Sequence, residues 1–575
     1  MRRQAAADSP SPVATRQGPA RAPGRAAALR AFLRLPVGMM WRRARHRTLA
    51  PLTRTALYRQ TLGQAAAATL KCYPHDPWPG RTARAQALLR HRYPFAGEVV
   101  ESAAPPWRTP EASRAWHAEL HGFAWLRDLR QLNSDAARRR ARDLVEAWMA
   151  EHPGPRDRTW EPAVTGTRLA NWLGQYSFFA DTADAEFRTR LANAMMRQAR
   201  HLMRVLPCGL SGADQMRAIK GLIYAGLCLE GGEPARRHGT ALLERLLPQQ
   251  IHDDGGHVAR APATHLRVLQ DLLDLRATFA AAGVNAPRSL VLAIESMAPI
   301  LKLLRHGDGG LALFNGSDAG ARDILDLTIK RAGHRARVRT AAPQTGFQRL
   351  VAGDTCLLVD AGPPPPPGED DSAHAGTLAF EMSEGRQRIV TNCGAKPAGT
   401  AWADVARTTA AHSTVTVAET NSAELLAAGG LGRRPASVTC RRDEAEGAVL
   451  LDMSHDGYAR SHDVRHARRL YLDAAGGDLR GEDVVIGPEG LDVAVRFHLH
   501  PDVHAGLVQN GTAVHLRTPD DSGWRFQVAG ASLDLAESVY LGEPDRIRQS
   551  QQIVLATRTR PHRTIVKWAM KREGV

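Results

Sequence analysis

The sequence predicts an α+β multidomain chain: a series of helical hairpins followed by a large antiparallel β-sandwich. Three observations lead there. At 575 residues the chain is too long for one hydrophobic core. Apolar residues recur at steps of three and four from about residue 60 to 305, then in strand-like runs from about 345 onward. Apolar content is 43%, enough for both parts to bury a core.

Residues 1–55 read as a disordered basic leader. They hold twelve arginines against one aspartate, which supplies +11 of the net +17 and leaves +6 for the other 520 residues. Their Pro, Gly, Ala and Arg content leaves little to bury. A solvated or membrane-surface tail follows from this. A nucleic-acid partner is not expected, because no aromatic residues interleave the charge. The stretch AFLRLPVGMMW (31–41) comes nearest to a secretory signal core, but Arg34 and Pro36 interrupt it, so no signal peptide is expected. No apolar run is long enough for a transmembrane segment. The six cysteines form no CxxC pair and suggest neither a zinc–thiolate site nor a disulfide framework. Cys228, in GLIYAGLCLEGG, reads as a core residue.

Residues 56–335 form the helical domain. In EFRTRLANAMMRQARHLMRVLP one face carries Phe187, Leu191, Met195, Ala199, Leu202 and Leu206, and Pro207 and Gly209 end the helix. Similar segments span about 111–131, 134–151, 161–180, 213–230, 235–250, 262–282 and 287–305. Short breakers between them make neighbours antiparallel, as in a solenoid or a closed α/α toroid. No strict repeat period appears, which argues against a solenoid.

Residues 336–575 form the β domain. FQRLVAGDTCLLVDAG, GTLAFEMSEGRQRIVTNCG, STVTVAE, AVLLDMSHDGY and QIVLATRT are strand-like. Asn510-Gly511 between apolar runs predicts a tight type I′ hairpin. The PPPPP run (363–367) cannot join a ladder and marks a loop.

Several motifs on this layout resemble the heparinase II/III family of polysaccharide lyases. They are HGFAWLRDLR (121–130), RLANWLGQY (168–176), KGLIYAGLCL (220–229), DGGHVARAPATHLRVLQDLLDLR (254–276), HGDGGLALFNGS (306–317), SAHAGTLAFEMSEGRQRIVTNCG (372–394), RTTAAHSTVTV (407–417) and RFHLHPDV (496–503). The resemblance implies an incomplete (α/α) toroid followed by an antiparallel β-sandwich. It implies β-elimination on an acidic, uronate-containing polysaccharide, and a zinc site whose ligand positions match His374, Asn392 and His412. Two imidazoles with an oxygen ligand suit zinc, although an amide is a poorer ligand than a carboxylate. The family's catalytic Asn-His pair falls on Ala213-Asp214, its Tyr-His pair on Thr264-His265, and a further histidine on Ser372.

Elimination needs a neutralised carboxylate, a base and an acid. His265 and His257 are the candidates for proton transfer. Arg168 and Asn171, three apart on one helix, are candidates for gripping a carboxylate, with Tyr176, Arg217 and Lys220 as further substrate-binding positions. Two other readings stand beside the lyase. One is a catalytically silent protein that binds polysaccharide during envelope assembly. The other is a glycoside hydrolase, for which Asp253, Asp254 and Asp214 are the available carboxylates. The resemblance points to the periplasm or envelope, and the absence of a clear signal keeps the cytoplasm open.

Overall fold

The computed structural model describes residues 25–63, 69–155, 158–333, 338–396, 400, 402–427 and 429–574. The helical half opens with α1 (Arg25–Leu33), α2 (Val37–Thr53) and α3 (Ala56–Thr61). It continues through α4 (Thr82–Leu89), α5 (Arg114–Gly122), α6 (Leu126–Leu132), α7 (Asp135–Glu151), α8 (Pro162–Gly174), α9 (Tyr176–Phe179) and α10 (Ala185–Val205). It closes with α11 (Gly212–Cys228), α12 (Glu233–Gln250), α13 (Pro262–Ala281), α14 (Arg288–Leu303) and α15 (Arg322–Ala332). This is the incomplete α/α toroid. The predicted face of α10 is buried from Phe187 to Leu206. Trp116, Trp125, Trp148 and Trp172 fill the toroid's core. Helices α8 and α11 cross with almost no gap: a Cβ at Gly166 would lie 2.5 Å from the Ala218 Cα, so glycine is required there.

The β half is a sandwich of two antiparallel sheets, of eight and nine strands among the described residues. Phe380, Phe497, Phe526 and Trp568 meet between the sheets, with Phe380 and Trp568 stacked at 5.7 Å. The Asn510-Gly511 turn differs from the tight hairpin expected. Val508 pairs with Ala513, so the loop holds four residues, and Gln509, Asn510 and Gly511 all have positive φ.

The leader also differs from expectation. Residues 1–24 lie outside the described residues. Residues 25–55 are helical and docked. Arg34 forks onto both oxygens of Asp370, at 2.8 and 3.0 Å, and Asp370 also accepts from Arg434 and from Leu431 N–H. Arg43 donates to Gly209 O at 2.6 Å, and Leu35 and Met39 are buried, with Met39 against Gly368. Composition suggested disorder because these arginines have no acidic neighbour in sequence; their partners lie far along the chain, Gly209 in the toroid and Asp370 in the sandwich.

Candidate functional site

The toroid meets the sandwich along a polar, buried seam. Arg260, just ahead of α13, pairs with Asp360 and donates to Thr345 O at 2.5 Å and Pro363 O at 2.6 Å. Asp254 accepts from Thr345 N–H at 2.8 Å, Thr345 Oγ1 at 2.6 Å and Gly256 N–H at 3.0 Å. This carboxylate, nominated for hydrolysis, therefore pins the two domains together.

Beside this seam lie the positions expected to bind zinc. His412 Nδ1–H donates to Thr408 O at 2.7 Å, which leaves its Nε2 as an acceptor. His374 Nδ1–H donates to that nitrogen at 3.2 Å, and His374 Nε2 accepts from Gly316 N–H at 3.0 Å. One tautomer of each ring satisfies all four nitrogens. Burial lowers His412 to about 4 and His374 further, so both rings are neutral at physiological pH. Asn392 Oδ1 accepts from Ser413 N–H at 2.9 Å, next to His412, and its Nδ2 donates to Glu381 Oε1 at 2.9 Å. The histidines thus touch each other, and the amide is one residue away but bonded elsewhere. With every imidazole lone pair and the amide oxygen engaged, this donor set does not fit zinc. Among the described residues no cluster of three or more His, Cys, Asp or Glu side chains is arranged to hold a metal ion.

Glu381 is the residue that sequence reasoning missed. Its Oε2 accepts from His306 Nε2 at 2.9 Å, and its Oε1 from the backbone N–H of Leu313 and Asn392. Burial pushes its pKa up, but the His306 hydrogen bond and the nearby Arg388 charge outweigh this and hold it below the usual range. His306 is lowered by burial, so the pair is a neutral imidazole against a carboxylate.

The proton-transfer candidates are enclosed. His265 Nε2–H donates to Met297 O at 2.9 Å, and burial lowers the ring to about 4. His257 accepts from Ala259 N–H at 3.1 Å and is lowered by burial to about 3. Both rings are at most 2% exposed.

The substrate-binding candidates have internal partners. Arg168 is wholly buried; it donates to Gln198 Oε1, His121 O and Thr159 O, and its guanidinium lies 4.0 Å from the centre of the Trp148 ring. Asn171 donates to Gly122 O and Thr167 O. Tyr176 stacks on Tyr73. Lys220 is held by Asp271 and Asp274 at 2.8 and 2.7 Å. Arg217 pairs with Asp214 at 3.2 Å and remains half-exposed. The docked arm packs against Gly209, Gly368 and Asp370, a few residues along the chain from the family-matching positions Ala213, Asp214 and Ser372. Burial raises Asp371, with Arg43, Asp214 and Arg34 all close enough to act on it.

The chain matches the family descriptions "Heparinase II/III N-terminus" over residues 83–332 and "Heparinase II/III-like, C-terminal" over residues 334–569. It is 31% identical to "FtsZ-localized protein C" of Caulobacter vibrioides, across 94% of this chain and 98% of that protein. Among solved structures it superposes on the crystal structure of heparinase III with a TM-score of 0.69 and 14% identity, covering 92% of this chain and 89% of that one. It superposes on the heparan sulfate lyase HepC of Pedobacter heparinus with a TM-score of 0.59 and 15% identity, covering 92% and 87%. At such identities these two structures speak for the fold alone. The expectation of a polysaccharide lyase is corrected. The Caulobacter relative, which aligns along nearly the whole chain, is named for its localisation with FtsZ and not for a lyase activity.

Proposed function

The chain belongs to the heparinase II/III-like family, and from that premise we propose that it is a catalytically silent member. In this reading it acts in envelope assembly together with FtsZ, resting on the membrane surface through its N-terminal arm. The near-full-length likeness to an FtsZ-localized protein carries the reading. The burial of His257, His265 and Arg168 and the ion pairs of Lys220 support it, because groups enclosed in this way do not face an incoming polymer.

The arm supports the membrane-surface part. Leu29, Leu33, Val37 and Trp41 stand out at steps of four, with Val37 76% and Trp41 66% exposed, and Leu49, Leu52 and Leu57 follow. No Asp or Glu occurs between Asp8 and Asp76. Exposed apolar side chains on successive, purely basic helices match the interface of an anionic bilayer. No helix among the described residues is long and apolar enough to cross a membrane.

The test is imaging of the fluorescently tagged full chain in cells with and without FtsZ depletion. Co-localisation that disappears on depletion is expected; a distribution indifferent to FtsZ overturns the reading. Unsaturated uronate product from the purified chain would overturn its catalytic silence.

A second reading, retention of an acidic polysaccharide without cleavage, is supported by Arg217 and Arg267. They lie on adjoining helices near enough to repel each other's charge, and Arg267 is exposed.

A further inference from the structure

Cys72 and Cys228 are 156 residues apart in sequence, yet their sulfurs lie 3.8 Å from each other. Backbone bonds hold them there. Leu70 and Leu229 form an antiparallel bridge, Lys71 N–H donates to Cys228 O at 2.8 Å, and Glu230 N–H donates to Thr69 O at 2.9 Å. The short ladder holds together the two segments that carry the thiols, and a Lys71–Glu230 ion pair at 3.5 Å spans it. The two thiols differ in access. Cys72 is half-buried, while Cys228 is fully buried at the C-terminal end of α11.

We propose that Cys72 and Cys228 are a reversible thiol–disulfide couple, oxidised by a low-molecular-weight disulfide such as glutathione disulfide. Access and geometry assign the roles. Cys72 is the attacking thiol, and Cys228 is the resolving thiol. The Cys228 hydrogen bond lowers the Cys72 thiol to about 7 against the opposing effect of burial, with Lys71 adding to the lowering. A substantial thiolate fraction therefore exists near neutral pH. The shared hydrogen bond, followed by burial, raises Cys228 and keeps it protonated.

In the first step the Cys72 thiolate attacks one sulfur of the glutathione disulfide. A mixed disulfide forms on Cys72, and one glutathione thiolate leaves. In the second step the Cys228 thiol attacks the Cys72 sulfur and passes its proton to the departing glutathione sulfur. The intramolecular disulfide forms, and the second glutathione leaves as its thiol. Two protein thiols are oxidised, and one glutathione disulfide is reduced to two glutathiones. The resulting bond ties the segment that follows the arm to the end of α11. It closes a long loop, which restricts the unfolded chain and stabilises the folded one.

The test uses the full chain equilibrated in buffers of graded glutathione to glutathione-disulfide ratio, followed by acid quenching, thiol counting and non-reducing peptide mapping by mass spectrometry. Cys440, the exposed cysteine, is replaced by serine in a parallel sample to remove its adducts. The expected result is loss of two thiols with a cross-linked peptide pair containing Cys72 and Cys228. A single midpoint and a rise in thermal midpoint on oxidation are expected with it. Cys228→Ser should stop at a mixed disulfide on Cys72, and Cys72→Ser should leave Cys228 reduced. If the wild-type chain keeps both thiols at every ratio, the proposal is overturned. A persistent glutathione adduct on Cys72, or a cross-link through another cysteine, overturns it equally. The wild-type mapping decides the matter even if a serine variant fails to fold.

Discussion

Asn392 and Glu381 are bonded twice: the Asn392 side-chain amide and its own backbone N–H both donate to Glu381 Oε1, at 2.9 and 3.0 Å. The position at which the family supplies a metal-binding carboxylate is here a hydrogen-bond donor to another buried carboxylate. Asn392→Asp should therefore not create a zinc site. It removes the side-chain donor and sets two buried carboxylates against each other, at an expected cost of about 2–3 kcal/mol. Urea denaturation with and without added zinc measures this. Metal-dependent restoration to wild-type stability would contradict it.

Stability should fall in mild acid. His412, His265 and His201 are lowered to about 4, and His257 and His498 to about 3, with burial the leading cause in each. In the unfolded chain these rings titrate near ~6.5. Between pH 6.5 and 4 the unfolded state binds more protons than the folded state, so stability drops as pH falls through that window. Above about pH 7 the five rings are neutral in both states and add no slope. Each ring contributes up to about 1.4 kcal/mol per pH unit within the window. From pH 7 to 8 these rings should contribute no change to the urea midpoints, and any rise there belongs to the lowered Cys72 thiol. Around pH 5 they should show uptake of at least about three protons on unfolding. An uptake below one proton would show that these rings are accessible.

Deleting residues 1–55 should destabilise the body. The deletion uncovers the surface under Leu35 and Met39 and leaves the buried Asp370 without its Arg34 fork. A loss of about 2 kcal/mol or more is expected, a few degrees in thermal midpoint for a protein of this size. Calorimetry of the truncated chain checks this. An unchanged midpoint would mean that the arm does not hold the body.

The helices of the toroid were legible because each carries its own evidence. The face from Phe187 to Leu206 is local periodicity, and Pro207 ends it. His374 and His412 were legible as a pair through the resemblance of their motifs to the heparinase II/III family. Glu381 was not, because FEMSE reads as an alternating strand, and its burial depends on His306, which arrives from the other domain. Arg168 looked like part of a polar helix face; the Trp148 and Gln198 that enclose it come from two other helices. The arm was misread for the same reason. Its composition has no acidic partner nearby, and Asp370 lies 336 residues downstream. Local signals reveal elements, whereas the pairing of buried charges is a long-range property.

That separation has a consequence during synthesis. The arm leaves the ribosome first, but Asp370 and Leu431, the groups that receive Arg34, come 336 and 397 residues later. At typical elongation rates of ~5–20 residues per second, the delay is on the order of 20–80 s. The Gly209 carbonyl that receives Arg43 comes sooner, 166 residues after it, and until then the basic, apolar arm of the nascent chain lacks that dock as well. The earliest partner available to Trp41 and its neighbouring leucines is therefore whatever surface lies near the translating ribosome.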